Sequence, residues 1–409
     1  MYIITNGQIV TPERVLTGYD MLIRGDRIAG IVPRGRCHRF NGASVVDAQE
    51  SFVTPGFIDI HSDYIESMAA PRPTSLMDFQ MAVRAAERQL VSHGITSMFH
   101  SVSLSKTSAF ARKPIREAAN VQSLMDTVAS VRQGQHLINH YFHVRFEIDN
   151  LGEIENLKEY IRGGKVHLLS FMDHSPGQGQ YRDIEAYRRA VHGHREVTDR
   201  EFAALIAHQQ HKAKASVKEI QELAALAKAH QIAVASHDDD TPEKVDLVAS
   251  LGATISEFPI TMAVAKKAKE KGLYTLAGAP NVVRGGSHNG NLSAAEAIRE
   301  NLLDILCSDY YPPSLLHAVF AMQRDHSQSI VEMVKLVTLN PAKAVNMDHD
   351  YGSLEEGKKA DVLIIASLDG RFPIITSVFV DGHQVQNTYY RRGKDVVHGE
   401  NTQQTTAYR

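Results

Sequence analysis

Pro55-Gly56-Phe57-Ile58-Asp59-Ile60-His61-Ser62-Asp63 sets the reading of the whole chain. It is an apolar run, too short for a typical helix, that ends in an imidazole and a carboxylate. In an extended strand, residues i and i+2 point to the same side. The run therefore predicts a buried strand over 56–63, with His61 and Asp63 projecting together. Alone, the pair reads equally as an ordinary His–Asp hydrogen bond and as half of a divalent-cation site.

Further apolar runs follow at 95–100, 141–148, 167–173, 232–237, 254–258, 274–279 and 303–309. Amphipathic patterns separate them, as in 217–230, where Ile220, Leu223, Ala224 and Ala227 keep a helical stripe. Strands alternating with helices indicate a parallel α/β fold, and about eight such units is the number of a (β/α)8 TIM barrel. The chain ends have another texture. Short strands over 2–4, 8–10, 21–23, 27–31 and 44–47 are punctuated by turn residues, and 361–366 and 374–386 resemble them, with an Asp381-Gly382 hairpin signal. This predicts a small β-sandwich domain from 1–53 and 350–387, a barrel over 54–349 inserted within it, and a polar tail at 388–409. The connection 176–216 is long and polar. It reads as a lid or binding element, or equally as an oligomer contact or decorative helix.

Composition sets outer limits. The 409 residues are 43% hydrophobic and 22% charged, the balance of a soluble globular protein. A net charge of -3 offers no global field for nucleic acid. No apolar run suggests a membrane span, and the N-terminus does not read as a signal peptide. Two cysteines, Cys37 and Cys307, cannot build a disulfide framework, so a reduced, cytoplasmic setting is expected, with Cys307 as small core packing. Homo-oligomerisation stays open.

The predicted strand ends carry the chemistry. His143, Arg145 and Glu147 alternate on strand three; strand four ends in Asp173-His174, strand five in Ser236-His237-Asp238, strand six in Ser256-Glu257-Phe258 and strand eight in Ser308-Asp309-Tyr310. Barrel active sites sit at this end of the strands. Buried charges are costly without partners, and a metal centre is the simplest common partner. The glycine-rich stretch Arg284-Gly285-Gly286-Ser287-His288 after strand seven offers backbone amides, Arg284 and His288 to an anion. Arg72 and Arg182 are secondary anion-binding candidates, although lone arginines are usually solvated. His174 reads as a substrate contact or as a hydrogen-bond partner of Asp173. Asp238-Asp239-Asp240 reads first as a loop with helix-capping character, with Asp238 as a candidate support for His237. His192 and His194 form an HxH in the insertion, away from any strand end, and are discounted.

These residues resemble the amidohydrolase superfamily in their order of HxH-like pair, bridging acid, strand-five histidine and strand-eight aspartate. Gly352-Ser353-Leu354-Glu355-Glu356-Gly357-Lys358-Lys359-Ala360-Asp361 is similar to that superfamily's entry into its C-terminal β-domain. Within it, His61-Ser62-Asp63, Met172-Asp173-His174-Ser175-Pro176-Gly177-Gln178, Ser236-His237-Asp238-Asp239, Glu257-Phe258-Pro259, the run from Gly278 to His288, and Ser308-Asp309-Tyr310-Tyr311-Pro312 look like the α-D-ribose 1-methylphosphonate 5-triphosphate diphosphatase family of the carbon–phosphorus lyase pathway.

The resemblance implies hydrolysis of a nucleotide-like triphosphate, releasing pyrophosphate and leaving a ribose 5-phosphate that still bears the phosphonate. It implies divalent metal, one or two ions of zinc, manganese or magnesium, held by His61, Asp63, Glu147 and His237 with Glu257 and Asp309 as further ligands. Asp309 is the expected general base. Asp63 and Glu257 stand where the superfamily usually has histidines, which hardens the site. Two other readings remain: hydrolysis of a cyclic amide or N-acyl substrate, and a non-catalytic barrel scaffold.

Overall fold

The computed structural model describes residues 1–36, 42–72, 74–104, 113–179, 183–192, 197–287 and 291–390. The N-terminal region forms strands β1 (Tyr2–Thr5), β2 (Gln8–Val10), β3 (Val15–Leu16), β4 (Tyr19–Arg24), β5 (Arg27–Pro33), β6 (Ser44–Asp47) and β7 (Phe52–Pro55). The barrel strands are β8 (Phe57–Ser62), β9 (Ile95–Leu104), β10 (Asn139–Glu147), β11 (Leu168–Met172), β12 (Ala233–His237), β13 (Ile255–Glu257), β14 (Tyr274–Gly278) and β15 (Ile305–Cys307). The C-terminal strands are β16 (Val362–Leu368), β17 (Phe372–Val380) and β18 (His383–Asn387).

β8 to β15 pair in sequence order, and every pair is parallel. A parallel bridge between Ser62 and Asp309 joins the first strand to the end of the last. The sheet thus closes, and the fold is the expected α/β barrel. Its interior is filled by Ile58, Ile60, Phe99, Tyr141, Leu168, Ala235, Ile255, Leu276, Ile305 and Cys307. Cys307 is buried and unpaired, as small core packing requires.

The chain ends form two sheets, β5-β4-β1-β6 and β18-β17-β16-β7-β2-β3. The second takes strands from both ends, with β16 antiparallel to β7. Alternation decides what each of its faces meets. Val362, Ile364 and Phe379 pack on Ile4, Met21, Ile23 and Ile28 of the first sheet. Leu363, Ile365, Ile375 and Val378 point the other way, into the cluster that holds Phe57 and Leu90 of the barrel layer. Full burial of such side chains contributes about 1.5–3 kcal/mol each. Gly94 sits at this junction with φ 83°, and a Cβ there would lie 2.8 Å from Leu363 Cδ1. The expected hairpin is present: Asp381 and Gly382 take φ 46° and 73° between β17 and β18.

The sequence reading leaves out β3 and β7, which are too short for a clear period. The long connection carries two helices, Ile184–His192 and Asp199–Gln210. Tyr187, Val191 and Phe202 form a small core of their own between them. The second starts on a capping box between Thr198 and Glu201, and the next helix, Val217–Ala229, starts on one between Ser216 and Glu219. Among the described residues, no helix is long and apolar enough to cross a membrane. Cys37, His194 and all of the tail beyond residue 390 lie outside the described residues.

Candidate metal centre and active site

The C-terminal ends of β8, β12 and β13 bring His61, His237 and Glu257 together, with ligand atoms all within 4.8 Å of one another. All three are buried. His61 Nδ1 donates to Glu257 Oε1 at 2.9 Å, which leaves its Nε2 lone pair for a cation. Burial, reinforced by the Arg145 charge, holds the His61 imidazole well below its ordinary range. A neutral ring is the metal-binding form.

Beside it lies a second group, His174, His237 and Asp238. His237 Nδ1 and Asp238 Oδ2 approach within 3.0 Å but are not aligned as a hydrogen bond, and both atoms are buried. Glu147 closes this side by accepting from His174 Nδ1. Burial opposes charge on His174, yet the carboxylates of Glu147 and Asp238 outweigh it and push the imidazole up to about 9. Burial works against the Asp238 carboxylate too, and the His237 and His174 rings more than offset it, holding it well below the usual range. Convergent, buried His237 Nδ1 and Asp238 Oδ2, with no hydrogen-bond partner among the described residues, fit a divalent cation.

A hydrogen-bonded circuit sets the first group. The Ser62 amide donates to Ser101 Oγ at 2.9 Å, Ser101 Oγ meets His143 Nδ1 at 2.9 Å, and His143 Nε2 meets Ser170 Oγ. Ser170 Oγ donates to Glu257 Oε2 at 2.6 Å, and Glu257 returns to His61. The path crosses β8, β9, β10, β11 and β13 before returning to β8. Burial holds His143 well below the ordinary histidine range, so the ring is neutral and passes one hydrogen bond on each side. Asp239 braces the next strand end: its buried carboxylate accepts from Ser236 Oγ and Ser256 Oγ, each at 2.6 Å. The helix after β12 is capped by Thr241, so Asp239 serves as a buried brace and Asp238 faces the site, rather than the acidic run capping a helix.

Three of these rim residues take left-handed backbone: Asp238 (φ 53°), Phe258 (φ 55°) and Asp309 (φ 59°). Such conformations cost about 1–3 kcal/mol and cluster at functional sites. Phe258 packs edge-on against His61 and at a tilt against His237, with ring centroids 4.9 and 5.1 Å away.

Asp63 has left the strand. At φ -92° and ψ 14° it precedes the short helix Tyr64–Ala69, so the i, i+2 rule that pairs it with His61 ends one residue too early. It lies outside both ligand groups among the described residues. Its amide donates to the Asp309 carbonyl at 2.8 Å, and the Asp309 amide donates to the His61 carbonyl at 3.1 Å. Burial, then the Asp63 charge, pushes the Asp309 carboxyl up to about 7. Glu66, missed in the sequence, takes Arg116 Nε at 2.7 Å and Lys113 Nζ at 3.1 Å next to Asp63. Buried Asp59, also missed, accepts the Ser308 amide at 3.1 Å.

The anion candidates are less gathered. Arg284 ends a short helix, Ala279–Arg284, that follows β14 before the glycines, and it is exposed. Arg72 is exposed in a turn bridged to Ser75. Arg182 and His288 lie outside the described residues. Asp173 pairs with Lys214 at 2.7 Å, which leaves His174 to Glu147 rather than to Asp173.

Residues 52–385 match the model of the amidohydrolase family. The chain belongs to that family. Among amidohydrolases and related proteins of known sequence, it is 33% identical over 376 residues to alpha-D-ribose 1-methylphosphonate 5-triphosphate diphosphatase of Escherichia coli (strain K12), covering 91% of this chain and 97% of that one. Solved amidohydrolase-like structures superpose over nearly the full length. Molinate hydrolase gives a TM-score of 0.67 at 12% identity, covering 97% of this chain and 98% of the other. D-hydantoinase from a Bacillus sp. AR9 gives 0.60 at 15%, covering 95% and 96%. At these identities the structures establish a shared fold alone.

Proposed function

We propose that this amidohydrolase cleaves α-D-ribose 1-methylphosphonate 5-triphosphate to the 5-phosphate and pyrophosphate. The observation that carries the reading is the 33% identity to the Escherichia coli diphosphatase across 91% of the chain. The bond broken is the phosphoanhydride between the first and second phosphorus atoms. Water supplies hydroxyl to one side and a proton to the other, and the carbon–phosphorus bond is untouched.

His61, His237 and Glu257 would hold a divalent cation, with Asp63, Glu147 and Asp309 as further ligands. Zinc, manganese and magnesium all suit the mixed nitrogen and carboxylate donors. Such an ion, when bound, neutralises phosphate charge and makes water more acidic. Asp309 takes the proton of the attacking water; burial and the Asp63 charge push its carboxyl up to about 7 in the metal-free site, and a bound cation would draw it back toward the ionised form that a base needs. Phe258 covers the imidazoles and limits water around them. Arg284 and His288 meet the outer phosphates, with Arg72 and Arg182 as further contacts.

A phosphorus NMR time course tests the reaction, using chelator-treated protein with and without Mn²⁺, Mg²⁺ or Zn²⁺. Metal-dependent pyrophosphate with an unchanged phosphonate signal is the expected result. Survival of the triphosphate under every metal overturns the proposal and turns attention to cyclic amides.

A further inference from the structure

Arg145 is a buried cation, an unusual state for an arginine. It lies on β10 between His143 and Glu147, on the face that points into the barrel, and is only 9% exposed. A guanidinium carries five N–H donors and no acceptor. Among the described residues, the hydrogen bond it makes is from Nη2 to His237 Nε2, at 3.2 Å. Its Nε is buried without an acceptor, and no carboxylate oxygen lies within ion-pair distance of it among those residues.

Burying a charge in this state is costly unless something completes it. Asp63, Glu147 and Asp309 are near enough for the Arg145 charge to lower their pKa values, yet none pairs with it. Half-buried cations elsewhere are paired: Arg116 with Glu66 and Lys214 with Asp173. A planar fork with free donors, fixed on a strand beside the metal-ligand histidine, matches two oxygens of one phosphoryl group.

We propose that Arg145 is a substrate-binding residue whose guanidinium grips a phosphoryl group at the floor of the active site, one strand position below the rim. The inference rests on the proposed triphosphate reading for its choice of anion. The grip displaces the weak bond to His237 and gives the guanidinium oxygen acceptors in its place. The exposed Arg284 then serves the outer end of the substrate and Arg145 the end next to the reacting bond.

The test is calorimetric titration of metal-loaded protein with inorganic tripolyphosphate at low and high salt, for wild type, Arg145→Gln and Arg145→Lys. Steady-state KM and kcat for the triphosphate are measured beside it, with metal content and melting temperature as controls. Tripolyphosphate affinity should fall at least tenfold in Arg145→Gln with a flatter salt dependence. Arg145→Lys, which keeps charge without the fork, should restore the salt dependence but only part of the affinity. A merely structural role would lower metal content or melting temperature and leave the salt slope of the remaining folded protein unchanged; that overturns the proposal. If Arg145→Gln does not fold, Arg145→Lys carries the test, and wild-type affinity in it overturns the proposal. An active wild type whose Arg145 variants bind tripolyphosphate equally well overturns this inference alone. An inactive wild type that binds tripolyphosphate through Arg145 overturns the proposed reaction and leaves the anion site standing. No binding by wild type overturns both.

Discussion

His61 Nδ1 and Glu257 Oε1 lie 2.9 Å apart, although 196 residues separate them in the chain. The contact crosses the barrel interior from β8 to β13. Glu257 thereby fixes which nitrogen of His61 carries the proton, while Ser170 holds its other oxygen. Glu257→Gln keeps the shape and removes the charge. Its metal affinity should fall about 10–100-fold, the usual cost of disturbing such a partner. Metal content after dialysis against graded chelator, read by plasma mass spectrometry, checks this; an unchanged value would remove Glu257 from the centre.

Asp309 is the group whose ionisation should shape the rate. Burial and the Asp63 charge push its carboxyl up to about 7 in the metal-free site, a bound cation lowers it, and a base must be deprotonated, so kcat/KM under saturating metal should climb with pH along an acidic limb that lies below about 7. Asp309→Asn should cut kcat by roughly 10²–10⁴ with the fold intact. Asp63→Asn removes a neighbouring negative charge and should move the acidic limb to lower pH under saturating metal. A limb that stays in place would disconnect the two carboxylates.

Ser170 links His143 to Glu257 in full burial. Ser170→Ala leaves His143 Nε2 and Glu257 Oε2 each short of a partner. The expected destabilisation is about 1–3 kcal/mol per orphaned group. Urea unfolding of the metal-free protein reads it, and a midpoint equal to wild type would show that the circuit bears little on stability.

At the opposite end of the barrel, Asp361 accepts the Asp381 amide at 2.8 Å and is buried. Burial pushes its carboxyl up from 3.8 to about 7. The folded state thus favours the protonated acid. That contribution to stability is complete below the unfolded value, near 4, and is lost as pH rises through about 7. Asparagine does not titrate, so Asp361→Asn should gain on wild type by up to a few kcal/mol between pH 4 and 8. Paired urea melts across that range check the sign.

Arg284 is exposed at the end of its helix, so its contribution should be electrostatic and screened by salt. Arg284→Ala should raise KM severalfold at low ionic strength and little at high. An equal KM at both would exclude it from substrate binding.

What the sequence by itself determined is what depends on neighbours along the chain. Apolar runs and amphipathic stripes encode β8 to β15 and the helices between them, because strand and helix periods are local. His237, Glu257 and Asp309 stand where they do because each follows an apolar run directly, at the end where barrel strands open to solvent. The matching texture of the two chain ends anticipates their shared sheet, and Asp381-Gly382 its hairpin. Asp63 shows the limit of local rules: one residue beyond β8 the backbone turns, and the alternation no longer says where the carboxylate points.

Tertiary structure decided which of these residues meet. Closing eight staggered strands brings Ser62, Ser101, His143, Ser170, Glu257 and His61 into one hydrogen-bonded circuit, and no spacing in the chain encodes that stagger. The same closure buries Arg145 beside His237 without a carboxylate partner among the described residues, whereas in the sequence it is one arginine among many. Pairing depends on distances between strands, and those are set only when the barrel shuts.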